Sequence, residues 1–141
     1  MRVRDVMTPH PVTVRPEDTL RAAQMQMEAR GCRRLPVVDE NGRLCGIITD
    51  RDVRLALNSP LVLRERWQDD MLVDHTQVDA CMTPNPIAIA PDAPLSEAVE
   101  ILLEHKISGL PVLEGDQLVG IITVTDLLRA LARLLQGQTG Q

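Results

Sequence analysis

Gly46-Ile47-Ile48-Thr49-Asp50-Arg51-Asp52 decides how this chain is read, because the chain writes it a second time as Gly120-Ile121-Ile122-Thr123-Val124-Thr125-Asp126. Each copy is a glycine, two β-branched apolar residues and a Thr-x-x-Asp that opens a helical pattern. Thr49 and Thr123 stand where a helix N-cap belongs, and Asp52 and Asp126 follow at the third position, the spacing of a capping box with Asp in place of the usual Glu or Gln. A buried strand running straight into a helix also presents free N–H groups and a positive dipole end, which suits an anion. A hydroxyl, a carboxylate and backbone donors thus come together in one short stretch. That set of groups can hold a phosphorylated sugar.

Working outward, the repeat covers nearly the whole chain. Val3-Arg4-Asp5-Val6-Met7-Thr8-Pro9 opens the first unit and Val78-Asp79-Ala80-Cys81-Met82-Thr83-Pro84 the second, an offset of 75 between Pro9 and Pro84. The offset drops to 74 (Gly46 to Gly120) across a turn, where Glu40-Asn41-Gly42 faces the shorter Gly115-Asp116. Turns are where a duplicated fold absorbs a length change. Each unit reads strand, helix, strand, strand, helix, an α+β pattern. Val12-Thr13-Val14 and Ile87-Ala88-Ile89 read as short strands fenced by prolines. Leu20, Ala23 and Met27, and more clearly Leu95, Ala98, Val99, Leu102 and Leu103, fall at helical spacing. Leu35 to Val38 and Leu110 to Leu113 read as strands, and Asn41-Gly42 signals a hairpin into Arg43 to Ile48. The closing helices are expected from Asp50 to Leu57 and from Val124 to Leu135.

The domain division expected is repeat 1 over 1–57, a linker over 58–77, repeat 2 over 78–135 and a polar tail over 136–141 that frays. The linker has no counterpart in the other repeat. Asn58-Ser59-Pro60 resembles a cap followed by proline at the first helical position, predicting a helix over Leu61 to Val73 with Trp67 packed on the fold.

Composition narrows the function classes. The 141 residues are 44% hydrophobic and 25% charged, ordinary for a soluble globular chain. A net charge of −5 argues against bulk electrostatic binding to nucleic acid or anionic membrane. With no Phe or Tyr and one Trp, no base-stacking platform can be built. Cys32, Cys45 and Cys81 lack C-x-x-C spacing and read as free thiols in a reducing cytoplasm. The charged start is unlike a signal peptide, no apolar run is long enough to span a bilayer, and a cytoplasmic protein is expected. His10, His75 and His105 have no metal-ligand spacing, and no motif suggests a catalytic constellation, so the chain reads as a non-enzyme.

The order Met-Thr-Pro, proline-fenced strand, helix, Leu-Pro-Val, hairpin, Gly-Ile-Ile-Thr-x-x-Asp, helix resembles the cystathionine β-synthase (CBS) domain, and two in tandem resemble the Bateman module. The resemblance covers about residues 3–57 and 78–135. It implies two β-α-β-β-α repeats in pseudo-two-fold arrangement forming one module, with adenosine nucleotides (AMP, ADP, ATP) or S-adenosylmethionine in clefts between the repeats. It implies regulation of an effector protein and no catalysis. Carried over, Asp52 and Asp126 accept from ribose hydroxyls, and Thr49 and Thr123 donate to phosphate. Arg33 and Arg34, or Ser108 and Gly109, line the clefts. Val12, Thr13 and Val14 serve the Asp126 cleft, and Ile87, Ala88 and Ile89 the Asp52 cleft, as aliphatic surface for adenine. Cys81 standing where Val6 stands, and the long linker, depart from the pattern.

The residues also predict that the two motifs are unequal. Arg33, Arg34, Arg51 and Arg54 gather around Thr49 and Asp52, while the second motif has only His105, Lys106 and Arg129 nearby in sequence. The first is therefore expected to prefer the more phosphorylated ligand. Leu127, Leu128, Leu131, Leu134 and Leu135 give the last helix more apolar surface than one core can bury, predicting a homodimer through the closing helices. A structural dimerisation module with empty clefts is the competing reading.

Overall fold

The computed structural model describes residues 1–57 and 66–139. In chain order these form α1 (Val3–Val6), β1 (Thr8–Pro9), α2 (Leu20–Arg30), β2 (Arg34–Val38), β3 (Leu44–Thr49) and α3 (Asp50–Leu57). There follow α4 (Arg66–His75), a 3-10 turn (Val78–Ala80), β4 (Thr83–Pro84), α5 (Leu95–His105), β5 (Gly109–Glu114), β6 (Gln117–Thr123) and α6 (Val124–Thr139). The described residues mix six α-helices with two three-stranded sheets, ordered β1-β6-β5 and β2-β3-β4. The proposed cap at Asn58-Ser59-Pro60 and the start of its helix lie outside the described residues.

Two compact units arise, one from Val12–Pro86 and one from Met1–Pro11 with Ile87–Gln141. Each sheet therefore takes its third strand from the other repeat's opening. Thr8 and Pro9 pair antiparallel with Ile121 and Gly120, and Thr83 and Pro84 with Ile47 and Gly46. The repeated glycine explains the repeated methionine. A Cβ on Gly120 would stand 2.6 Å from Met7 Sδ and 2.9 Å from the Thr8 carbonyl oxygen. On Gly46 it would stand 2.5 Å from Met82 Sδ and 2.9 Å from the Thr83 carbonyl oxygen. Only a residue without a side chain lets the Met-Thr-Pro segment lie this close.

The strands expected at Val12–Val14 and Ile87–Ile89 are corrected to single-residue bridges. Val14 pairs in parallel with Val37, donating its N–H to the Pro36 carbonyl at 3.1 Å and accepting from Val38 N–H at 2.9 Å. Ile89 repeats this with Pro111 and Leu113 at 3.1 and 2.9 Å. Prolines at 11 and 16, and at 86 and 91, lack the donors for further rungs. Both residues are buried in their own unit's core, Val14 with Leu20, Leu35 and Ile48, Ile89 with Ala98, Leu110 and Ile122.

Helix α2 buries Leu20, Ala23 and Met27 as its spacing predicts, starts on the Thr19 hydroxyl, which accepts Ala22 N–H at 3.1 Å, and stops on Gly31 at φ 63°. Helix α5 buries Ala98 and Leu102, but Leu103 is 73% exposed. One residue turns the helix by about 100°, so Leu103 leaves the face its neighbour occupies. Trp67 likewise does not pack on the fold, being 63% exposed. Helix α4 faces inward at Val73, six residues and about 120° away from Trp67, and is tied to α2 by Arg21, which donates to Asp74 at 2.7 Å and Asp70 at 3.1 Å. The tail expected to fray from Gln136 continues α6 to Thr139. Extending an existing helix needs no new nucleus, which outweighs the cost of about 1 kcal/mol for one glycine at Gly137.

Candidate functional site

Both Thr-x-x-Asp motifs sit where a buried strand feeds a helix, and both form the reciprocal cap that the spacing predicts. In the Val12–Pro86 unit, Thr49 N–H donates to Asp52 Oδ2 at 2.9 Å and Asp52 N–H donates to Thr49 Oγ1 at 3.1 Å. In the other unit, Thr123 N–H donates to Asp126 Oδ2 at 2.9 Å and Asp126 N–H donates to Thr123 Oγ1 at 3.2 Å. The residue two before each Leu-Pro pair caps one more helix donor with its carbonyl. Asp50 N–H bonds Arg33 O at 2.9 Å, and Val124 N–H bonds Ser108 O at 3.0 Å. The next residue lies across the ladder from the threonine, Arg34 opposite Thr49 and Gly109 opposite Thr123. Arg33, Arg34, Ser108 and Gly109 are therefore brought beside their motifs.

The caps differ in how far the aspartate is already satisfied. Asp126 is buried, and it accepts two further bonds, from Thr123 Oγ1 to Oδ2 at 3.0 Å and from Thr8 Oγ1 to Oδ1 at 3.0 Å. In the sequence Thr8 is only a repeat landmark. Its signal was present in the twofold Met-Thr-Pro, but its partner is 118 residues away. Asp52 is half-buried, and among the described residues no hydrogen bond joins it to Thr83, the counterpart of Thr8. The aspartate carboxylate is thus open at Oδ1 in one motif and internally bonded at both oxygens in the other.

Charge differs as well. Burial lowers the Arg34 guanidinium from its ordinary value, and the nearby Asp50 and Asp52 carboxylates oppose that shift. Arg34 is accordingly the cation held against the first motif. Arg54 reaches Asp50 only loosely, at 3.9 Å, and Arg33 and Arg51 are exposed. Cys81, near Asp52, has its thiol pushed up by burial and by the Asp52 and Asp79 charges, so it is a poor nucleophile. At the second motif the structure adds a cation that proximity in sequence missed. A pocket of about 250 Å3 is lined by Asp5, Thr8, Pro9 and Asp126 with both Arg129 and Arg133. Asp126, Arg129 and Arg133 stand at i, i+3 and i+7 on one face of α6.

Of the aliphatic candidates, Val14 and Ile89 are core residues, Val12 packs on the core, Thr13 and Ala88 are half-buried, and Ile87 is exposed. Among the described residues no group of three His, Cys, Asp or Glu side chains is placed to hold a metal ion. No helix there is long and apolar enough to cross a membrane.

Comparison with known proteins bears on this geometry. The CBS domain matches residues 3–59 and 77–133. A CBS domain-containing protein of Dictyostelium discoideum is 39% identical over 137 residues, 95% of this chain and 93% of that protein. The crystal structure of a putative acetoin utilization protein (AcuB) from Vibrio cholerae superposes with a TM-score of 0.82 at 35% identity, covering 100% of this chain and 97% of that one. The structure of CBSX2 in complex with AMP superposes with a TM-score of 0.79 at 30% identity, covering 94% and 97% of the two chains. With two matched copies that keep both Thr-x-x-Asp caps and both exchanged Met-Thr-Pro strands, the chain belongs to the CBS domain family as a tandem pair.

Proposed function

We propose that the chain is a regulatory module that binds an adenosine nucleotide, AMP, ADP or ATP, or a related adenosyl compound such as S-adenosylmethionine, and changes the behaviour of an effector protein. The observation that carries this is the Asp52 cap. One carboxylate oxygen is fixed by Thr49 N–H at 2.9 Å, and the other has no partner among the described residues while the Arg34 guanidinium stands close by. Such an oxygen accepts from a vicinal diol, and a neighbouring guanidinium answers a phosphate. The likeness to a protein solved with AMP supports the same reading. In it Asp52 and Asp126 take ribose, and Thr49 and Arg34 take phosphate at the first motif. A melting-temperature screen with AMP, ADP, ATP, NAD and S-adenosylmethionine tests it. At least one should raise Tm in proportion to the logarithm of its concentration. No shift with any of them at millimolar concentration overturns the assignment.

A second reading, a structural dimerisation module, is favoured by one observation. Leu128, Leu131, Leu134 and Leu135 of α6 are all between 49% and 59% exposed, a contiguous apolar strip. We take a homodimer through this helix to accompany ligand binding. Leu128→Arg should leave Tm nearly unchanged and reduce the mass in light scattering from dimer to monomer. A wild-type monomer at tens of micromolar defeats the dimer.

A further inference from the structure

We infer that Met1–Pro11 is an exchangeable arm, that the surface it covers also takes the Met1–Pro11 arm of a second copy of this chain, and that strain at His10 drives the exchange. Each copy then completes the β1-β6-β5 sheet of the other and supplies the Thr8 hydroxyl to its Asp126. Among the described residues, every hydrogen bond and ion pair that the arm makes beyond itself ends on residues 91–126. Val3 N–H donates to Ala93 O at 3.0 Å, Arg4 N–H to Pro91 O at 2.9 Å, and Thr8 Oγ1 to Asp126 Oδ1 at 3.0 Å. Val3 is fully buried in one core cluster with Ala98, Leu102 and Leu110. The arm is joined to Val12 by the chain alone, while its bonds lie with residues far along the sequence. An arm from another molecule makes the same bonds, so exchanging it forfeits none of them.

The crossing supplies the drive. The chain leaves the arm at His10-Pro11, and His10 is held at φ 51°. Left-handed backbone is unfavourable for a residue with a Cβ, and a following proline disfavours helical backbone as well. Extending the crossing towards a second molecule lets His10 return to the β region, so a reciprocal pair relieves the strain twice. Short connections under strain favour exchange for this reason.

Charge selects the occupant. The chain carries a second segment of the same pattern, in which Val78 and Met82 match Val3 and Met7, but Asp79 stands where the arm has Arg4. Arg4 Nε donates to Asp92 Oδ1 at 2.7 Å, and Arg4 Nη2 stands 3.8 Å from Glu114 Oε2. An aspartate at that place would face two carboxylates, so the surface accepts the Met1–Pro11 arm and rejects the Val78 segment. A tethered arm competes at an effective concentration in the millimolar range. Exchange is therefore decided when chains fold together at such concentrations, and dilute folding keeps each arm at home.

The test uses the full chain carrying Leu128→Arg, so that pairing through the α6 leucines does not contribute. Unfolded in urea, refolded at about 1 mM and then diluted, it should scatter light as a particle of twice the 15.6 kDa chain mass, and as a monomer when refolded about a hundredfold more dilute. Arg4→Asp and Asp92→Arg, each added to this chain, set like charges together both within a molecule and between identical copies. Refolded together, each arm finds its opposite charge only on the other variant. The mixture should hold about fivefold more dimer than either variant alone, because two attractions replace two repulsions. If either variant alone melts early, the mixture should melt later. His10→Gly, which takes a positive φ without strain, should lower the exchanged fraction about fivefold. Monomers alone after the concentrated refolding, no more dimer in the mixture than in either variant, or an exchanged fraction that His10→Gly leaves unchanged overturns the inference.

Discussion

Thr49-Asp52 and Thr123-Asp126 began as the same four-residue device, and in the folded chain they do different work. Asp52 holds its own helix start and leaves an oxygen beside Arg34. Asp126 holds its helix start and also ties down the Met-Thr-Pro strand through the Thr8 hydroxyl at 3.0 Å. A carboxylate used as a structural acceptor contributes stability, whereas one with an open oxygen can still accept a further hydrogen bond. The capping geometry is common to both, so the difference comes from one hydroxyl contributed by a distant segment and from the arginines on α6.

That contrast can be broken first by removing the aspartates. At sequence level each looks like a helix cap whose loss costs the unliganded protein little. The structure corrects this for Asp126. Asp126→Ala strands Thr123 N–H and the Thr8 and Thr123 hydroxyls, so it should destabilise by about 2–4 kcal/mol, against about 1 kcal/mol for Asp52→Ala. Urea denaturation of both variants checks it, and equal losses would mean that the Thr8 bond contributes nothing. The same pair should reverse in binding. Asp52→Ala should lower nucleotide affinity about ten- to hundredfold at its motif, since hydrogen bonds to a charged acceptor contribute about 1.5–3 kcal/mol. Titration calorimetry showing unchanged affinity would remove Asp52 from the site.

The symmetric part of the design should respond symmetrically. Gly46→Ala and Gly120→Ala each drive a methyl towards a methionine sulfur and a backbone carbonyl at 2.9 Å, and should cost about 1–3 kcal/mol apiece. A large difference between them would mean that the two exchanged strands are not equivalent. Thr8→Val should cost about 1 kcal/mol by leaving Asp126 Oδ1 without its donor, while Thr83→Val should be nearly silent. The smallest effect concerns α4, which only the Val12–Pro86 unit has. The Arg21 hydrogen bond holds the Asp74 carboxyl below its ordinary value of 3.8. A folded value below the unfolded one means that this contribution is complete above that pH and is lost as pH falls through the folded value. Solvent screens the exposed pair, so an Asp74→Asn variant should lose only a slight part of the protein's stability near neutrality and titrate slightly less below pH 4.

The sequence by itself determined the duplication, the element order within each repeat, the two reciprocal caps and the placement of Arg34 and Gly109 beside them. These follow from local rules. A Thr-x-x-Asp after a β-branched run caps a helix wherever it occurs, and a hairpin with Asn41-Gly42 fixes the register of the residues on either side. What it misjudged were features set by orientation within a unit, such as Trp67 and Leu103 facing solvent or the proline-fenced segments yielding only one bridge each. Only the tertiary structure decided that each Met-Thr-Pro joins the other repeat's sheet, that Thr8 satisfies Asp126, and that Arg133 joins Arg129 at a pocket. The pairings of Thr8 with Ile121 and Asp126 span more than a hundred residues, and neither propensity nor spacing encodes which distant hydroxyl reaches a carboxylate until the glycine at 120 has let the strand approach.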